Sequence, residues 1–144
     1  MSSKWVRASL RDLLVVISLG AVLAGSSFGQ AKEQVLYTFT YHADGGMPYA
    51  GVTFDAKGNL YGVTYLAGLF SGAVCCGGVF QMTPNGTGGW TYDVIHTFTG
   101  PVTDGEAPSG SVIFDASGNL YGTTQNGDWC GVAYELSPTP GGLN

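Results

Sequence analysis

The chain carries the same phrase twice. Phe54-Asp-Ala-Lys-Gly-Asn-Leu-Tyr-Gly-Val-Thr64 returns sixty residues later as Phe114-Asp-Ala-Ser-Gly-Asn-Leu-Tyr-Gly-Thr-Thr124, with nine of eleven positions identical. A block of that size cannot bury its own apolar face and must stack on copies of itself. The choice of fold therefore narrows to architectures built from like units in series.

The correspondence extends to both sides of the core phrase. Asp44-Gly45 and Met47-Pro48 align with Asp104-Gly105 and Ala107-Pro108, and Tyr37-Thr-Phe-Thr40 aligns with His96-Thr-Phe-Thr99. Downstream, Cys76-Gly-Gly-Val-Phe-Gln-Met-Thr-Pro84 aligns with Cys130-Gly-Val-Ala-Tyr-Glu-Leu-Ser-Pro138, so the first copy carries six extra residues within Tyr65 to Cys75. Insertions of this kind fall at surface loops. This one is apolar and Gly-rich and is the most individual part of the chain.

Local signals predict β structure throughout. Val52–Phe54 and Leu60–Thr64 are short runs of β-branched and aromatic residues joined by Asp55-Ala-Lys-Gly-Asn59. Gly58 supplies a positive φ, and the Asp55 and Asn59 side chains suit a tight hairpin; Asp115, Gly118 and Asn119 repeat the arrangement. Val79–Thr83 reads as a third strand stopped by Pro84-Asn-Gly86, and Trp90–Phe98 as a fourth, with Tyr92, Val94, His96 and Phe98 on one face. The expected fold is all-β, made of antiparallel four-stranded repeat units. These are propeller-like blades, about two of them, in an incomplete propeller. Residues 35–98 form the first repeat with a preceding strand at Val35–Thr40. Residues 99–138 form a second, incomplete repeat, and 139–144 a tail. A propeller ring takes about four to eight blades. The expectation is thus a fragment of a longer protein or, failing that, self-association of several chains.

Lys4, Arg7 and Arg11 precede an apolar run from Leu13 to Ala24 and the small residues Gly25-Ser-Ser27. That is the layout of a signal peptide, placed at residues 1–31, and the run falls short of the roughly twenty residues that span a membrane. It predicts a secreted or cell-envelope protein. Beyond it, two lysines stand against nine acids and there is no arginine, a net charge of about −7. Nucleic-acid binding, which demands basic patches, is thereby excluded. In an oxidising compartment a bridge from Cys75 or Cys76 to Cys130 becomes available, Cys76 and Cys130 being the repeat-equivalent pair. No Cys-x-x-Cys pair suggests zinc.

The phrases Gly-Asn-Leu-Tyr-Gly-Thr-Thr124, Asp104-Gly-Glu-Ala-Pro108 and Val79-Phe-Gln-Met-Thr-Pro84 resemble the tandem repeat named after Gloeobacter and Verrucomicrobia, the GloVer repeat, over roughly residues 35 to 138. The resemblance implies an exported bacterial chain of many such units, and it carries over no catalytic residues. Val63, the Cys75-Cys76 loop and Val132-Ala133 depart from its usual pattern.

Candidate chemistry is sparse. Asp44 and Asp104 recur before Gly and could face calcium, but calcium needs six to eight oxygens and turn capping needs one. Asp55 and Asp115 read as turn caps. His42 and His96 occupy unmatched positions, and no Gly-x-Ser-x-Gly motif accompanies them. His96, alternating with aromatics, reads as a packed strand residue. Asn85-Gly-Thr87 reads as a turn. Tyr61 and Tyr121 are expected in the core, while Trp90, Trp129 and the Tyr65–Cys75 loop would serve a glycan. The leading reading is an exported, non-catalytic repeat protein, a surface component or interaction scaffold with no cofactor. The alternatives are a carbohydrate-binding propeller and a fragment of a propeller lyase or lactonase.

Overall fold

The computed structural model describes residues 31–70, 73–140 and 142–143. Of the expected signal peptide, residues 1–31, only Ala31 lies among the described residues, and the compact unit beyond it is Val35–Asn144. The described residues form, in order, the strands β1 (Thr53–Phe54), β2 (Leu60–Thr64), β3 (Ala67–Phe70), β4 (Ala73–Cys75), β5 (Gly78–Pro84), β6 (Trp90–Thr97), β7 (Glu106–Pro108), β8 (Ile113–Phe114), β9 (Leu120–Asn126), β10 (Ala133–Leu136), β11 (Pro138–Thr139) and β12 (Gly142–Leu143). The described residues contain no helix. The protein is all-β, with antiparallel strands in two sheets of four.

Sheet 1 has the order β1-β2-β5-β6, with the β3–β4 hairpin inserted in the connection from β2 to β5. Sheet 2 has the order β10-β9-β7, with β8 pairing the other end of β9. β2 is Leu60-Tyr-Gly-Val-Thr64 and all five residues are buried. A strand so apolar on both sides must be covered on both faces. On one face Leu60, Phe80 and Met82 pack under Tyr37, Phe39, Trp90 and Tyr92. On the other, Tyr61, Val63 and Val79 join Val112, Leu120 and Leu136 of the second half in a single core, sealed by Phe98.

The same local geometry occurs in both halves. Gly45 and Gly105 have φ of 90° and 102°, Met47 and Ala107 of 55° and 59°, Gly58 and Gly118 of 86° each. Phe39 meets the Phe80 ring edge-on at 5.5 Å, and Phe98 meets Tyr134 at 5.0 Å.

Four sequence expectations need correction. Val35–Thr40 forms no strand; it lays the Tyr37 and Phe39 rings against the Leu60, Phe80 and Met82 cluster instead. Tyr92, Val94, His96 and Phe98 do not share one face, because the pairing shifts between Val79/His96 and Phe80/Val94 and leaves Ile95 as a bulge. The inserted segment is no plain surface loop: β3 and β4 pair as a hairpin, and Ala67 is fully buried. Of the two equivalent tyrosines only Tyr61 is buried, since Tyr121 lies on a face that no other sheet of the described residues covers.

Candidate functional site

Each Asp-x-x-Gly-Asn connection turns on its aspartate. Asp55 Oδ1 accepts the backbone N–H of Lys57 at 2.8 Å and of Asn59 at 2.9 Å, while Oδ2 accepts Asn59 Nδ2 at 2.8 Å and the Tyr61 hydroxyl at 3.2 Å. Asp115 reproduces all four with Ser117, Asn119 and Tyr121 at the same distances. Four donors on one carboxylate favour its ionised form. Partial burial pushes the Asp55 pKa up, but the Asn59, Lys57 and Tyr61 hydrogen bonds outweigh it and hold the group below its ordinary value. At Asp115 the Asn119 side chain dominates and acts in the same direction. Tyr61 is pushed up to about 12 by burial and then by the Asp55 charge. The sequence reading of Asp55, Gly58, Asn59, Asp115, Gly118 and Asn119 as turn residues places each of them in these two turns.

The two turns face a common cleft of about 680 Å³, whose lining includes Asp55, Lys57, Gln81, Asp115, Ser117 and Pro138. The Tyr61 ring meets Phe114 edge-on at 4.9 Å in the contact between the sheets. A general acid needs a carboxyl held protonated near neutral pH. Both carboxylates here are biased the other way and saturated with internal donors. Neither is therefore poised as a general acid, and the cleft lining carries two carboxylates and the Lys57 ammonium.

A second pair of aspartates holds the chain ahead of each sheet segment. Asp44 accepts Thr40 N–H at 2.8 Å, Thr40 Oγ1 at 2.6 Å, His42 N–H at 3.2 Å and Tyr37 hydroxyl at 3.0 Å. Asp104 accepts Thr99 N–H and Thr99 Oγ1, each at 2.8 Å, and lies 3.2 Å from His96 Nε2. His96 thus does for Asp104 what its repeat equivalent Tyr37 does for Asp44. Sequence reasoning placed His96 on a packed strand and missed this bond. The signal was the alignment of His96 with Tyr37, eight and seven residues before the aspartates. Among the described residues no three His, Cys, Asp or Glu side chains converge as metal ligands would.

These aspartates make stability depend on acid. Burial raises the Asp44 pKa, but the bonds from Thr40, Tyr37 and His42 win and lower it from 3.8 to about 2. Because the folded-state value lies below the unfolded one, the contribution is complete above the unfolded pKa and is lost as pH falls through the folded pKa. The urea midpoint is expected to hold steady from about pH 7 to 5 and to fall between about pH 4 and 2. Asp44→Asn should remove part of that fall; a midpoint that ignores pH throughout this window would show that the four aspartates contribute nothing.

The cysteine expectation is overturned. Cys75 and Cys76 are bridged to each other, with Cα atoms 3.8 Å apart, and Cys130 is free and exposed. Cys76 is buried in the core between the sheets, whereas Cys130 stands outside that core, so their equivalence in the repeat places them apart. The tryptophans do not act as one platform either. Trp90 packs against the Leu60, Phe80 and Met82 cluster, while Trp129 is 95% exposed in the β9–β10 connection. The Tyr134 hydroxyl is buried without a hydrogen-bond partner, in the place that Phe80 takes in sheet 1.

No protein-family model matches the chain, and no curated protein or solved structure does. The reading of its function rests on the residues themselves.

Proposed function

We propose that the chain is an exported, non-catalytic β-repeat protein, a surface component or interaction scaffold whose two sheets are propeller-like blades. One observation carries the reading. The carboxylate and carboxamide side chains common to both halves, Asp44 and Asp104, Asp55 and Asp115, Asn59 and Asn119, are each engaged in holding the chain's own turns. The repeat thereby uses its carboxylates for architecture and offers its surfaces for contact. The antiparallel up-and-down order of sheet 1, interrupted only by the β3–β4 hairpin between β2 and β5, fits the four-stranded sheet of a propeller blade and supports that part of the reading. Export is supported by the charged, apolar and small-residue succession of residues 1–31, and the likeness to the GloVer repeat points the same way.

The test is protease treatment of intact producing cells. The proposal expects the chain to be degraded, or recovered from the medium, while a cytosolic marker survives. A chain protected until the cells are lysed would contradict it.

A further inference from the structure

Equivalent residues in the two halves differ sharply in exposure, and the differences are systematic. Val112 is fully buried and Phe114 half-buried, yet their counterparts Val52 and Phe54 are 52% and 58% exposed. Pro108 is fully buried while Pro48 is exposed. On the opposite side the imbalance reverses. Val63 and Val79 are buried, while their counterparts Thr123 and Ala133 are exposed. Val112 and Phe114 belong to the face of the second half that covers sheet 1, and Tyr61, Val63 and Val79 to the face of sheet 1 that is covered. Each end of the molecule therefore leaves open one half of a contact that its middle has already made.

The internal contact gives the template. Ala107 N–H donates to the Cys76 carbonyl at 2.8 Å, Thr53 Oγ1 donates to the Val112 carbonyl, and Phe114 meets Tyr61 edge-on. Pro108 closes over Gly77, whose missing side chain makes room for it. On the open side of sheet 2 a shallow groove of about 260 Å³ runs along Ile113, Tyr121, Thr123 and Ala133. These are the counterparts of Thr53, Tyr61, Val63 and Val79, on which the second half sits.

We infer that the open face of sheet 2 binds the Val52 and Phe54 face of a second copy of this chain, repeating the internal contact head to tail. Charge agrees with this pairing. Gln81 and Ser117 line one cleft across the internal contact. Their counterparts across the contact between copies are Glu135 and Lys57, both exposed and of opposite sign. A contact between unlike faces gives each copy one donor and one acceptor surface, so assembly proceeds to a closed ring or an open stack. The inference rests on reading the two halves as like units stacked in one direction, and is independent of where the cell places the protein.

The experiment is sedimentation velocity of the purified native protein over a concentration series, with one variant at each face. Val52→Asp and Ala133→Asp alter exposed positions, and circular dichroism confirms that each retains its strands. The wild type is expected to grow in mass with concentration, and each variant alone to stay monomeric. An equimolar mixture of the two should form a one-to-one heterodimer, because each supplies the face the other lacks. Lys57→Glu should weaken assembly at least threefold at low salt, and adding Glu135→Lys in the same chain should restore it. A wild type that remains monomeric up to about millimolar concentration, or variants that assemble alone as well as the wild type does, would overturn the inference. Loss of assembly in a chain still found outside the cell would leave the proposed function standing.

Discussion

Leu120→Ala is expected to cost about 2–5 kcal/mol, the range for truncating a fully buried leucine, and to lower the melting temperature by on the order of 10–20 °C. Leu120 is completely buried and belongs to the core that joins the two halves, with Tyr61, Val63 and Val79 from sheet 1 and Leu136 from sheet 2. Its counterpart Leu60 belongs to a smaller cluster, with Phe80 and Met82 under a cover of partly exposed rings. Those rings can settle into a vacancy more readily than two sheets locked face to face. Leu60→Ala should therefore fall toward the lower end of the range. Urea unfolding of the pair checks this, and equal costs at the two positions would contradict the claim that the junction is the tighter core.

Gly62→Ala is expected to destabilise by about 1–3 kcal/mol, although removing a glycine from a strand ordinarily helps. A Cβ at Gly62 would stand 2.5 Å from Phe80 Cζ and 2.9 Å from Cε1, and Phe80 is only 4% exposed. The ring lies over the glycine on the neighbouring strand, where Gly62 and Phe80 are register partners. Gly122 and Tyr134 form the same pair in sheet 2. Shortening the ring should relieve the clash, so Phe80→Leu ought to cost less in the Gly62→Ala background than alone. Thermal melts of the single and double variants decide it, and a stabilising Gly62→Ala would show that Phe80 does not cover the strand.

Much of this architecture was legible because the repeat reads its own turns aloud. Asp55-Ala-Lys-Gly-Asn59 contains every group that closes its hairpin, so local chemistry alone placed β1, β2 and their counterparts. Residues whose fate depends on neighbours were not legible. Val35–Thr40 has a strand's composition, yet its Tyr37 and Phe39 rings pack on sheet 1 and it joins no sheet. β7 exists because the far end of β9 offers it a paired edge, Asn126 opposite Glu106 and Thr124 opposite Pro108, which no pattern in Glu-Ala-Pro announces. Repeat symmetry also misled where environments differ. Cys76 and Cys130 share a position in the repeat and differ in whether a neighbouring sheet covers them, and the same holds for Tyr61 and Tyr121. The cleft was hidden for the same reason: its two turns lie sixty residues apart in sequence, and only the stacking of the sheets brings them together.

The second half docks on sheet 1 through positions that recur in both units, Tyr61 of one and Phe114 of the other among them. A double-mutant cycle across Tyr61 and Phe114, whose rings meet at 4.9 Å, measures it most directly. Tyr61→Leu and Phe114→Leu, alone and together, are followed by urea unfolding. A coupling of about 0.5–1.5 kcal/mol between the two rings is expected. Additive effects, with no coupling beyond the error of the measurement, would mean that the two halves do not meet there.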